Sequence, residues 1–148
     1  MKHDIVKIDA ENYSLFEDMV YWRMNNSQRL PSKESVSQSI LSELNNPNLF
    51  IYAVELESKY VGWISLIYMP KVGKYNGHGH IYIDEIWIEP SYRKNGFAYE
   101  LMKLADVLKK EKCASGVRLY VNIDNLGAKK LYEKCDFIVS GSAYLMEK

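Results

Sequence analysis

Asp84 and Glu85 interrupt an otherwise apolar run, with Ile81-Tyr82-Ile83 before them and Ile86-Trp87-Ile88 after. Carboxylates set into a strand can accept protons as general bases, but adjacent strand residues point to opposite faces, so at most one of the pair faces a given reacting centre. Downstream lies Arg93-Lys94-Asn95-Gly96-Phe97-Ala98-Tyr99, a glycine-containing turn between that strand and a helical pattern. Backbone N–H groups at such a turn meet the positive end of a helix and suit phosphate oxygens, and Gly96 permits close approach. The spacing is neither GxxxxGK[ST] nor GxGxxG, so R-x-x-G-x-A alone describes an ordinary strand-to-helix turn better than a ligand loop. Tyr132 carries a phenol able to act as a general acid, yet it shares an apolar stripe with Ala128, Leu131 and Cys135 and reads equally as a core aromatic. Asn125 precedes that stripe, where its side-chain oxygen can cap a helix or contact a ligand.

The remaining reactive side chains carry less. Cys113 and Cys135 are far apart and have no partner at metal-ligand spacing, so they read as free buried thiols in a reducing compartment. His3, His78 and His80 share no helix face with a carboxylate at ligand spacing, and they read as surface or hairpin histidines; no metal site is expected. Lys109-Lys110-Glu111-Lys112 reads as the solvated end of a helix.

These candidates need elements to position them. A strand over Ile5 to Ile8 leads to a helical stripe of Tyr13, Phe16 and Val20, and Val36, Ile40 and Leu44 form another after Pro31. Phe50 to Val54 and Val61 to Ile67 are β-rich runs around the polar Glu57-Ser58-Lys59, which predicts an antiparallel hairpin. Residues Lys71 to Gly79 carry three glycines and an Asn-Gly pair, the composition of an exposed loop before a strand over His80 to Ile88. Pro90 stops that strand, and Ala98, Leu101, Met102, Ala105 and Leu108 form one helical stripe. Val117 to Val121 is a further strand, and Phe137 to Met146 supplies one or two closing strands. A central meander followed by alternating strands and helices predicts an α/β chain, α+β in a stricter scheme, with a mixed sheet and helices on its faces.

Bulk composition bounds the function. The chain has 148 residues, 47% hydrophobic and 26% charged, which suits one domain over residues 1–148. Nineteen basic residues balance nineteen acidic ones, so no long-range field holds a polyanion and nucleic acid is a poor partner. No apolar run reaches a membrane span, and Met1-Lys2-His3-Asp4 lacks the apolar stretch of a secretory signal, so a cytoplasmic protein with no membrane partner is expected.

Two linked motifs give the residues above a common reading. Ile86 to Ala98 resembles the fourth strand and [QR]-x-x-G-x-[GA] pyrophosphate loop of the GNAT superfamily of acyl-CoA N-acyltransferases. Leu119-Tyr120-Val121, Asn125, Ala128, Leu131-Tyr132 and Phe137 resemble its fifth strand and N-x-x-A-x-x-[LF]-Y helix. The earlier segments match in element order alone. The resemblance implies a mixed, mostly antiparallel sheet of about six or seven strands with about four helices on its faces. It implies acetyl-CoA as co-substrate, its pyrophosphate on the N–H groups of Lys94 to Tyr99 (Lys94, Asn95, Gly96, Phe97, Ala98 and Tyr99) with Arg93 opening the loop. Ile86, Trp87 and Ile88 would pair with the pantetheine amides as an added strand, and Asn125 would hydrogen-bond CoA. Tyr132 matches the phenol that protonates the departing thiolate. The family usually places Gly before the Phe that follows this helix, where this chain has Asp136; that position takes a left-handed, helix-ending conformation which Asp tolerates at about 1 kcal/mol.

The implied reaction is direct attack of a primary amine on the thioester in a ternary complex. An alkylammonium is not nucleophilic and needs a base, for which Glu85 is slightly favoured over Asp84, with a water chain as the alternative. A cationic small-molecule amine such as a polyamine or amino sugar is the expected acceptor, bound between the first helices and the Lys71 to Gly79 loop. A protein or peptide N-acetyltransferase and a non-catalytic CoA-binding sensor are the alternatives, and a homodimer is left open.

Overall fold

A computed structural model describes residues 2–31, 35–72 and 78–148; the middle of the expected acceptor loop, residues 73–77, lies outside them. Among the described residues the chain forms β1 (Asp4–Lys7), α1 (Tyr13–Asn25), α2 (Gln38–Leu44), β2 (Leu49–Leu56), β3 (Lys59–Met69) and β4 (His80–Ile88). A single 3-10 turn, Pro90–Tyr92, then leads to α3 (Phe97–Lys112), β5 (Val117–Arg118) and α4 (Leu126–Lys134). The strands make one sheet in the order β1-β2-β3-β4-β5. β1 to β4 are an antiparallel meander, and β5 runs parallel to β4 after the α3 crossover. This is the mixed α/β architecture that the residue pattern predicts, with the mostly antiparallel sheet that the family resemblance implies.

Local chemistry fixes several joints. β2 and β3 are joined through Glu57 and Ser58, both at positive φ (51° and 65°), with Leu56 opposite Lys59. That is a two-residue turn with the twist hairpins favour, built without glycine. Where β3 meets β4, Gly62 lies opposite Ile88, and a Cβ there would come within 2.8 Å of the Trp87 carbonyl oxygen. Only glycine lets the strands approach so closely.

The sheet separates two apolar clusters. On one face the α3 stripe of Phe97, Leu101, Met102, Ala105 and Leu108 packs against Ile64, Leu66, Ile81, Ile83 and Ile88, with Tyr132, Cys135 and Phe137 adding to its edge. On the other, Met19 of α1 packs with Ile8, Ala53, Tyr60 and Trp63. His80, expected at the surface, is 8% exposed. Its burial, with Arg118 and Lys71 nearby, holds the imidazole below its ordinary range, so it joins the core neutral. Cys113, expected to be buried, is instead exposed because it ends α3 in the left-handed conformation at the surface, and Cys135 is only half-buried.

The sheet has fewer strands than the six or seven expected. Val117 to Val121 is paired only at Val117 and Arg118, because β4 and β5 part beyond that point. The expected closing strands over Phe137 to Met146 do not form: residues 138–148 are irregular and exposed. Among the described residues no strand is paired with this segment, so its β-rich composition completes no ladder.

Leu101 is fully buried at the centre of the α3 stripe. Leu101→Ala should lower the unfolding free energy by about 3 kcal/mol through lost transfer energy and a cavity. Urea titration followed by circular dichroism measures this, with the midpoint falling and the slope unchanged.

Candidate active site

The turn before α3 is shaped by two left-handed residues, Lys94 at φ 66° and Gly96 at φ 82°. Asn95 donates its side-chain amide to the Tyr92 and Arg93 carbonyls at 3.0 and 3.3 Å, and Arg93 Nε donates to the Ile88 carbonyl at 2.8 Å. The loop is thus tied to the end of β4 by its own side chains. Gly96 caps α3, and the space its Cβ would enter holds no atom within 4 Å. Glycine is required there by the positive φ, and the open side faces outward.

That side opens into a cleft of about 580 Å³ lined by Ile88, Tyr92, Arg93, Lys94, Gly96, Phe97, Ala98, Tyr99, Leu131 and Lys134. Seven residues expected to hold a cofactor meet there, and the structure adds Tyr92, Leu131 and Lys134. The N-terminus of a sixteen-residue helix, a left-handed glycine and cationic side chains on the rim suit a pyrophosphate. Asn95, Ile86, Trp87 and Asn125 do not line this cleft.

Toward β5, β4 is paired only at Ile81 and Tyr82. The backbone of Ile86 to Ile88 therefore turns toward a gap rather than a strand. Asn125 accepts from the Ala128 N–H at 3.1 Å and caps α4, so the cap role is realised. At the far end of α4, Asp136 takes the left-handed conformation foreseen for it, φ 68°. The Phe137 N–H donates to the Tyr132 carbonyl and the Asp136 N–H to that of Glu133, a Schellman ending that satisfies the last carbonyls.

Tyr132 is half-buried against the α3-side cluster, its ring 6.3 Å from that of Phe137. Burial, with Cys135 beside it, holds the phenol above its ordinary range. It keeps its proton at neutral pH, as a donor must.

β4 bulges at the acidic pair: Ser65 lies opposite Glu85 and Leu66 opposite Ile83, leaving Asp84 as the extra residue. The bulge shifts the alternation, so Ile81 and Ile83 share a face with Ile86 and Ile88, while Trp87 packs on the α1 side. Glu85 follows Trp87 and accepts from Arg23 Nη1 of α1 at 2.7 Å. The same guanidinium lies 5.2 Å over the Trp63 ring. Asp84 is held above the ordinary carboxylate range, first by burial and then by the neighbouring Glu85 charge. Arg23 had no signature in the sequence beyond its place in α1; only the register between α1 and β4 makes it a partner of Glu85.

A family model described as the acetyltransferase (GNAT) family matches residues 12–137. The chain belongs to that family. It is an acetyl-CoA-dependent N-acetyltransferase by membership. Among solved structures, it superposes on an aminoglycoside acetyltransferase from an uncultured soil metagenomic sample with TM-score 0.80 and 16% identity, covering 100% of this chain and 98% of the other. A ribosomal-protein-alanine N-acetyltransferase from Brucella melitensis biovar Abortus 2308 gives TM-score 0.74 and 16% identity over 99% and 100% of the two chains. The aminoglycoside N-acetyltransferase AAC(6')-Iy in complex with CoA gives 0.76 and 13% over 98% of each. At these identities the likeness is one of fold. No curated protein matches the sequence. Among the described residues no group of three His, Cys, Asp or Glu is arranged to hold a metal ion, and no helix is long and apolar enough to cross a membrane.

The Asp84 carboxyl should titrate above the usual aspartate range, and Glu85→Gln should bring it down by removing one cause of the shift. Carbon-13 detected titration of the carboxyl groups reads both values, and an unchanged Asp84 midpoint in the variant would remove Glu85 as a cause.

Proposed function

We propose that the chain transfers the acetyl group of acetyl-CoA to the primary amine of a small cationic acceptor by direct attack. The observation that carries this reading is the parting of β4 from β5 beside the open helix N-terminus. A gap with unpaired strand backbone accepts an extended amide-bearing arm as an added strand. The turn next to it accepts a pyrophosphate.

In this reading the backbone N–H groups of Lys94 to Tyr99 hold the phosphates while Arg93 and Asn95 keep the loop in shape. Acetyl-CoA supplies an activated thioester, and a backbone N–H from Ile86 to Ile88 polarises its carbonyl. Tyr132 gives its proton to the leaving thiolate. Asn125 acts by capping α4 and so setting the start of the helix that carries Tyr132.

Sequence alone slightly favours Glu85 as base, but its carboxylate is engaged by Arg23. Asp84, extra in the bulge and held partly toward its protonated form, is the better proton acceptor. Glu85 and Arg23 then position the strand around it. With Glu85 neutralised by Arg23, an ionised Asp84 beside the gap favours a cationic amine over an anionic one by Coulomb attraction. The aminoglycoside acetyltransferases among the structural neighbours act on acceptors of that kind, which supports an amino sugar or polyamine.

Thiol release from acetyl-CoA across a panel of amines tests this directly, with cationic amines expected to lead. Asp84→Asn should lower kcat/KM for the best amine by roughly a hundredfold, the size of one general-base contribution, and remove the acidic limb of its pH profile. Because the Asp84 pKa is raised, that limb is a loss of activity as pH falls through it. Glu85→Gln should cost less and keep the limb; the reverse order would return the base role to Glu85.

Tyr132→Phe should lower kcat by roughly a hundredfold with acetyl-CoA affinity unchanged, since only the leaving-group proton is lost. Steady-state kinetics with calorimetric titration of CoA separate the two, and an unchanged kcat would leave Tyr132 as a core aromatic alone.

A further inference from the structure

Arg23 stands in the last turn of α1, where the negative end of the helix favours a cation. Its Nη1 donates to Glu85 Oε2 at 2.7 Å, and its guanidinium lies 5.2 Å over the Trp63 ring. That ring is itself fixed, 2% exposed and packed against Phe16 and Trp87 at centroid distances of 5.5 and 5.2 Å. A planar guanidinium set on both a buried indole and a carboxylate is held at two points, so the cation stays in place although its side chain is 38% exposed.

The aromatic row that continues from Trp63 carries a second cation. Trp87 leads on to Trp22, and Trp22 to Tyr92, at 6.4 and 6.5 Å. The Lys59 ammonium lies 5.8 Å from the Trp22 ring and 5.3 Å from that of Tyr92. Aromatic rings beside two carboxylates ordinarily gather ammonium groups. Here Arg23 and Lys59 lie over the row already, and Arg23 cancels the charge of Glu85. Of the acidic pair, Asp84 alone is left to meet an incoming ammonium.

We propose that Arg23 determines acceptor specificity, limiting the acceptor to an amine with a single ammonium near the acidic pair. This assignment rests on the acetyl-transfer reading for the place of the acceptor: the thiolate leaves toward Tyr132 on the α3 side, so the amine arrives from the α1 side and passes Glu85 and Arg23. The reacting ammonium meets Asp84. A second ammonium on a short chain meets the charge of Arg23, with Glu85 already engaged. A singly charged amino sugar is therefore a better acceptor than a polyamine.

Butylamine and diaminobutane share a carbon chain and differ in one charge, so the ratio of their affinities reads the effect. NMR titration of each amine into the CoA-saturated protein gives that ratio apart from turnover. In the unaltered protein diaminobutane should bind no tighter than butylamine beyond the statistical advantage of two equivalent amines. Arg23→Gln should shift the ratio toward diaminobutane roughly tenfold, the effect of removing one charge close to the second ammonium at a partly screened site. Arg23→Lys should keep the ratio because the charge stays, and Glu85→Gln should shift it toward butylamine by leaving Arg23 unopposed. A ratio unmoved in Arg23→Gln would overturn the proposal even where both amines bind more weakly, since loss of a merely structural ion pair weakens both alike. An unaltered protein that already prefers diaminobutane beyond the statistical advantage would overturn it as well. So would binding of neither amine, because no ammonium then meets Asp84. Should Arg23→Gln fail to fold, an unmoved ratio in Glu85→Gln overturns the proposal instead. Thiol release from acetyl-CoA, followed in parallel, tests acetyl transfer separately: butylamine that binds but is never acetylated would sink that reading and leave the charge selection standing.

Discussion

Neighbouring strands in a sheet satisfy each other's backbone groups, and strands that part after two residues leave those groups without partners. β4 and β5 do this, staying together only at Ile81–Val117 and Tyr82–Arg118. Much of the rest serves to hold the parting open. α3 is pinned to the sheet by five buried side chains and fixes where β5 begins. The hydrogen bond from Arg93 to Ile88 fixes where β4 ends and aims the helix N-terminus at the cleft. α4, with no fully buried residue of its own, stands on the far side and brings Tyr132 to the same apolar cluster as Ile86 and Ile88.

The sequence made legible what depends on local periodicity. The β4 bounds and the α3 stripe follow from neighbours within a few residues, where spacing and backbone sterics decide, while the left-handed Asp136 was legible only through the family resemblance. What it hid depends on distant partners. A bulge is a mismatch of count between two strands, and neither Leu66 nor Asp84 carries a mark of it alone. The short β5 escaped for the same reason, since Val117 to Val121 has strand composition throughout and only the course of β4 says where pairing stops. His80 alternates with Tyr82 like any strand residue, and its burial comes from what lies over the end of β4. The expected strands over Phe137 to Met146 are absent because composition reports what a segment can pair with but not whether a partner strand lies beside it.

The bulge has the larger consequence for chemistry. Without it, strict alternation would put Asp84 with Ile86 and Ile88 on the α3 side. With it, Glu85 follows Trp87 to the α1 side and meets Arg23, while Asp84 is left unpaired in the ladder. An unpaired bulge residue can turn its side chain without breaking a sheet hydrogen bond. A proton acceptor needs that freedom, and an ion-paired structural carboxylate does not.

In the proposed reaction this division by face also separates the acid from the ion pair that steadies the bulged strand. Tyr132 belongs to the α3-side cluster and the Glu85–Arg23 pair to the α1 side, so acid and acidic pair sit across the sheet from each other. Within an intact ladder, no small molecule could reach both. The parting of β4 and β5 opens the sheet itself, so a thioester seated in the gap can meet an amine from one side and lose its thiolate toward the other. Asp84, left out of the ladder by the bulge, would serve the amine while Tyr132 serves the thiolate, each holding the protonation state its own step requires. In this reading the gap that exposes backbone groups is also what lets one thioester meet both proton functions.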